Sequence, residues 1–241
     1  MNQQNLYNGE RASHRVTALE SGPLLYGVVA LVMMALVAAV GALGFLTLRW
    51  LKPASRPFVA RDVSQLNKRP GKVFLVPLGD FPAAELEELA RHYAARYGTP
   101  VEVGPRVRLP AEAYDEGRGQ LVAEYAVATL RVMCPGASCE PQNVVIGVTA
   151  DDMYIRGKSW GYAYSYRFEV AAVVSTARMH AAPRFFAREA GPDLLRSRLR
   201  KMVAKNIGVL YYRLPLSRDP RSLLYYNIGG PRELDRMGEE F

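Results

Sequence analysis

LLRSRLRKMVAKNIGVLYYRL, residues 194–214, repeats its apolar side chains in steps of three and four. Leu195, Leu199, Met202, Val203, Ile207, Leu210 and Leu214 therefore share one side of a helix that can press against a sheet. The opposite side carries Arg196, Arg198, Arg200, Lys201 and Lys205. Pro192 precedes the run and Pro215 follows it, where proline is tolerated or stops a helix. By itself this is an amphipathic core helix, and what it packs against must be read from the flanking sequence.

Upstream, FEVAAVVSTARM (168–179) and NVVIGVT (143–149) are continuous apolar runs of strand length, as is VFLVPL (73–78). A shorter strand is expected at VEV (101–103). Between the strands, PAAELEELARHYAARY (82–97) reads as a helix that opens at a proline and stops before Gly98, and RGQLVAEYAVATLRV (118–132) as another. A short C-terminal helix is expected over 231–238. Strands alternating with helices predict an α/β (α+β) domain: a mixed sheet flanked by helices, over 72–241.

Toward the N-terminus the chemistry changes. Residues 1–22 are a polar tail, and 23–48 (PLLYGVVALVMMALVAAVGALGFLTL) carry no charge over more than the ~20 residues that cross a bilayer. The expectation is a single-pass transmembrane helix and a membrane localisation. Arg49, Lys52, Arg56 and Arg61 follow it closely, which leans the main domain toward the cytoplasm and makes these four residues candidate contacts for anionic lipid headgroups. Residues 49–71, basic and containing proline, read as a linker.

The full chain of 241 residues is 49% hydrophobic and has a formal net charge of +8, with a pI near 9.6. This is a folding composition, and the basic balance suits an acidic partner. No nucleic-acid module accompanies the charge, so nucleic acid is not the expected partner. The two cysteines, Cys134 and Cys139, are close enough for a small-loop disulfide or for two free thiols, and too few for a structural zinc site. Asp151 and Asp152 stand together after a strand with Glu169 nearby, an acidic site in outline, though adjacent aspartates there more often cap a turn.

Three separated stretches resemble the archaemetzincins, small zinc metallopeptidase-like proteins. LPAEAYDEGRGQLVAEYAVATL (109–130) is similar to the family's LP-x-x-AYD-x-x-RGQ segment. IGVTADDMY (146–154) with AAVVSTARM (171–179) is similar to its G-V-T-x-x-D-x-Y and V-V-S-x-A-R segments, and SLLYYNIGGPRELDRMGEEF (222–241) to its C-terminal tail. The resemblance implies that the 194–214 helix lies where the family carries HExxHxxGxxH, in which three His hold zinc and the Glu serves as general base. Setting A-H-E-x-G-H on residues 204–209 puts Lys205 and Val209 at the first two His and Asn206 at the Glu; Tyr212 then replaces the glycine and Pro215 the third His.

None of these side chains suits the zinc chemistry, so the sequence predicts neither a metal nor another cofactor, and no catalytic residue. The three histidines, His14, His92 and His180, cannot supply the helix-borne pair. The expected function is that of a membrane-anchored, inactive binding or assembly subunit, partnered by an integral membrane protein through its transmembrane helix and its domain. Alternatives are a hydrolase with non-standard active-site residues or a peripheral anionic-lipid binder. Tyr154, Trp160, Tyr162 and Tyr211, with Tyr164, Tyr166 and Tyr212, are candidates to line a peptide cleft.

Overall fold

The structure is a computed structural model that describes residues 31–37, 63–133, 140–181 and 190–241. The chain divides into two compact units, Met1–Pro57 and Phe58–Phe241. In the first, residues 31–37 are helical. The expected membrane localisation is corrected here: among the described residues no helix is long and apolar enough to cross a membrane. The rest of the 23–48 span, the headgroup candidates Arg49, Lys52, Arg56 and Arg61, and the Cys134–Cys139 pair lie outside the described residues.

The second unit is built on a mixed sheet with strand order β2-β1-β5-β8-β7. Its members are β1 (Val73–Pro77), β2 (Val101–Val103), β5 (Val144–Thr149), β7 (Ser165–Phe168) and β8 (Ala171–Ser175). All neighbours run parallel except β7, which is antiparallel to β8 with Tyr166 opposite Val173. A smaller sheet joins β3 (Tyr114–Asp115), β4 (Gln120–Val122) and β6 (Met153–Tyr154). The helices are α1 (Ala83–Tyr97), α2 (Ala123–Val132), α3 (Pro192–Leu210) and α4 (Pro231–Arg236).

Alternation along the strands divides the apolar side chains between two cores. Val73 and Leu75 of β1, Val144, Ile146 and Val148 of β5, and Ala172 and Val174 of β8 join one core with α1 and α3. Phe74, Val76, Val145, Ala171 and Val173 join the other, under α2. The central strands read as unbroken apolar runs because both faces are covered. Burying each Val, Leu or Ile contributes about 1.5–3 kcal/mol. At Gly147 a Cβ would stand 2.6 Å from Leu130 and 2.7 Å from Leu78, so glycine is what lets α2 lie this close to β5.

Three boundaries differ from the pattern reading. The stretch expected as a helix from 118 is first a tight turn, with Gly119 at φ +61 and its N–H on the Asp115 carbonyl; β4 follows, and the helix begins at Ala123. The strand expected over 168–179 is the end of β7, a turn in which Glu169 takes φ 53, then β8 and a 3-10 turn over Ala177–His180. Helix α3 stops at Leu210, because Arg213 turns left-handed at φ 54 and the Leu214 N–H reaches back to the Gly208 carbonyl. Residues 63–71 lie against the domain: Val63 and Leu66 pack on the core, and Arg69 Nε donates to the Leu210 carbonyl at 2.8 Å.

Candidate functional site

Helix α3 is amphipathic in pattern but not in burial. Arg198, Lys201 and Lys205, on the side opposite the apolar stripe, are buried together with Asn206. The cause is the C-terminal segment, which covers that side and offers it backbone carbonyls. Arg198 makes paired contacts with Asp235 at 2.8 and 2.9 Å and donates to the Met179 and Ala181 carbonyls. Lys201 donates to the Leu234 carbonyl at 3.1 Å, and Lys205 to the Tyr225 carbonyl.

Next to Lys205 the helix faces edge strand β7. Ser165 and Arg167 point toward α3, whereas Tyr166 packs on the opposite core. Asn206, fully buried, ties the two elements together: its Oδ1 accepts from Arg167 Nη1 at 3.2 Å, and its Nδ2 donates to Ser165 Oγ at 3.0 Å and to the Met202 carbonyl at 2.7 Å. A cavity of about 570 Å³ opens here. Strand β7 forms one wall, the Trp160–Tyr164 loop another, Met202 and Lys205 the floor, and Tyr226–Gly229 the far side. Lys158 stands at the rim, 5.8 Å over the Trp160 ring.

Electrostatically the cavity is one-sided. Among the described residues its lining includes Lys158, Arg167 and Lys205 and neither Asp nor Glu. Burial, reinforced by the neighbouring Arg167 charge, pushes the Lys205 ammonium down to about 7. Burial likewise lowers Arg167 below the ordinary guanidinium value.

Of the residues singled out for a cleft, Trp160 (58% exposed), Tyr162, Tyr164 and Tyr166 line this cavity. Tyr162 OH donates to the Gly229 carbonyl at 3.0 Å. Tyr154 lies elsewhere, its OH on Asp115 at 2.6 Å and Arg118 over its ring. Tyr211 and Tyr212 are core residues, and Tyr212 OH meets Thr99 Oγ1 at 2.8 Å. The acidic trio is dispersed. Asp151 accepts from Tyr114 OH at 2.7 Å, Asp152 pairs with Arg178, and Glu169 pairs with Arg131 at 2.6 Å. Pattern reading did not single out Ser165, Arg167 or Lys158, since a polar residue on a short edge strand carries no signal until its helix partner is known.

The zinc that the resemblance implies does not fit the residues at the positions it assigns. Lys205 Nζ is engaged as a donor to Tyr225, Val209 and Pro215 have no ligand atom in their side chains, and Tyr212 is committed to Thr99. Among the described residues no group of three or more His, Cys, Asp or Glu is placed to hold a metal ion. His92 lies edge-on to Tyr93 on α1, and His180 ends the 3-10 turn; His14 is outside the described residues.

No family model matches the chain. It is 28% identical over 137 residues to an archaemetzincin of Haloquadratum walsbyi, covering 56% of this chain and 76% of the relative. Its fold superposes on that of archaemetzincin from Methanopyrus kandleri with a TM-score of 0.56 at 24% identity, over 71% of this chain and 89% of the other. A zinc-dependent peptidase from Methanocorpusculum labreanum superposes with a TM-score of 0.58 at 20% identity, over 70% of this chain and 95% of the other. At these identities the two structures speak for the fold. The expectation that the chain is not an enzyme is corrected by these findings: the proteins it is similar to carry the name archaemetzincin, and one of the solved neighbours is a zinc-dependent peptidase. In sequence and in fold alike, this chain is similar to archaemetzincins.

Proposed function

We propose that the chain engages an extended polypeptide segment, laid along the outer edge of β7 and over the cavity between that strand and α3. The observation that carries this is the position of β7: it ends the sheet, so among the described residues no strand pairs with its far side, and the cavity adjoins it. An edge strand offers unpaired N–H and C=O groups in register for an added strand, and adjoining pockets take alternate side chains. The name of the M. labreanum neighbour, a peptidase, supports polypeptide as the ligand class.

A second reading, hydrolysis of the bound segment by non-standard residues, is favoured by Lys205. An amine held near 7 is partly unprotonated at neutral pH and can accept a proton from a water in the cavity.

The test uses the full chain and a hexapeptide library read by fluorescence anisotropy, followed by hydrogen exchange with the tightest binder. The expected result is slowed exchange at residues 165–168 and 226–229. Protection confined to any other surface, or no binding, overturns the reading. Mass spectrometry of the same peptides after incubation reads the hydrolytic alternative, which stands if fragments appear and falls if they do not.

A further inference from the structure

The cavity beside β7 holds two buried or half-buried cations that the protein does not neutralise. Arg167 has Asn206 Oδ1 as its acceptor and Lys205 has the Tyr225 carbonyl; both acceptors are neutral. No carboxylate lines the cavity, and no ion pair reaches either residue among the described residues. A charge taken out of water without a counter-charge is costly, and the cost is relieved when an anion enters. The anion must come with whatever occupies the cavity. An arginine fork beside an ammonium matches the planar, bidentate geometry of a carboxylate.

We propose that this cavity is a carboxylate-binding site in which Arg167 and Lys205 hold a carboxylate of the bound polypeptide. The inference rests on the peptide reading above and narrows it to a substrate class. A polypeptide offers that group from two sources, its own C-terminus or an Asp or Glu side chain. The open rim at Trp160 and Lys158 admits either.

The test compares three dye-labelled hexapeptides of alternating Ala and Val on the full chain: one with a free C-terminal carboxylate, one amidated, and one amidated with a central Glu. At least one carboxylate-bearing peptide is expected to bind about tenfold or more tighter than the neutral amide, as a hydrogen bond to a charged group implies. Which of the two gains identifies the source. The Arg167→Gln and Lys205→Met variants, each checked by thermal melt for a folded state, are expected to bring the preference to within about twofold. Equal binding of all three peptides overturns the carboxylate site and leaves the peptide reading standing. Failure of all three to bind overturns both. A preference that survives in a folded Arg167→Gln chain also overturns the site, and this variant decides the matter if Lys205→Met does not fold, because Arg167 is only half-buried on an edge strand.

Discussion

Two basic clusters lie one turn apart along α3, Arg198 with Lys201 and Lys205 with Arg167 of β7, and they are treated in opposite ways. Arg198 and Lys201 are met by Asp235, which supplies two carboxylate contacts to Arg198, and by four backbone carbonyls, those of Met179, Ala181, Leu234 and Asp235, which accept their protons. Burial lowers Lys201, while the Glu239 and Asp235 charges pull it back up. Lys205 is buried and Arg167, on β7, half-buried against neutral acceptors, and no carboxylate charge offsets the desolvation of either. The first cluster is completed by the chain itself and works as a staple. The second is left short of negative charge in a cavity with room for a ligand. Burial of a cation is thus a structural device in one place and the mark of a binding site a single turn away.

The largest effect that separates the two is expected at Arg198. Arg198→Met leaves Asp235 partly buried without its partner and the Met179 and Ala181 carbonyls without a donor. Breaking such a pair from one side costs about 3–5 kcal/mol. Urea unfolding of the full chain should show that loss. A loss below about 1 kcal/mol would mean that the first cluster is as dispensable as a surface pair and that the contrast is false.

Which cluster is which was only half legible in the sequence. The sheet and its flanking helices followed from apolar runs and periodicity, because the central strands are covered on both faces and α3 needs one apolar stripe. The polar side of α3 was not legible in the same way: the pattern places Arg198, Lys201 and Lys205 opposite the core but does not say that residues 217–241 return to cover them. Tertiary covering decides burial, and periodicity is local. Of the positions that the resemblance assigns, Lys205 lines the cavity, and Val209, Tyr212 and Pro215 do not. Arg167 and Ser165 sit on a four-residue edge strand of which the pattern took only Phe168, as the start of the following run, since the turn at Glu169 requires a left-handed residue that glutamate does not advertise.

A smaller effect, of opposite sign, is expected at Lys205. Its folded value near 7 lies below the ordinary 10.5, so the folded state binds fewer protons than the unfolded state between those values and stability rises with pH across that window. The titratable groups that line the cavity with the amine are Arg167 from β7, Lys158, Tyr162 and Tyr164 from the preceding loop, Tyr166 and, from the C-terminal segment, Tyr226; among the described residues no carboxylate lines it. Burial raises Tyr164 further, which keeps it out of the window. Lys205→Met should therefore be about 2 kcal/mol more stable than the parent chain at pH 6, with the advantage shrinking as pH rises to 9. Parallel melts at both pH values check it. Destabilisation at pH 6 would show that Lys205 is stapled as Arg198 is.

The smallest change in stability, under about 1 kcal/mol, is expected when the second cluster is given the counter-charge it lacks. Ser165 lines the cavity and already touches the Asn206 amide, so Ser165→Asp introduces a carboxylate where Asn206 Nδ2 can donate to it and where Arg167 and Lys205 feel its charge. An opposite charge nearby favours the protonated amine, so Lys205 should titrate higher and the pH dependence of stability should move upward with it. The same carboxylate competes with any arriving from a ligand, so a carboxylate-bearing peptide should bind about tenfold more weakly while the neutral amide is unaffected. This single variant tests the comparison from the side of the ligand. If the cavity is a charge deficit awaiting a polypeptide carboxylate, filling the deficit from within closes it selectively. Uniform weakening of all peptides would instead show that Ser165 matters for the shape of the β7 edge and that the charge of the cavity does not choose the ligand.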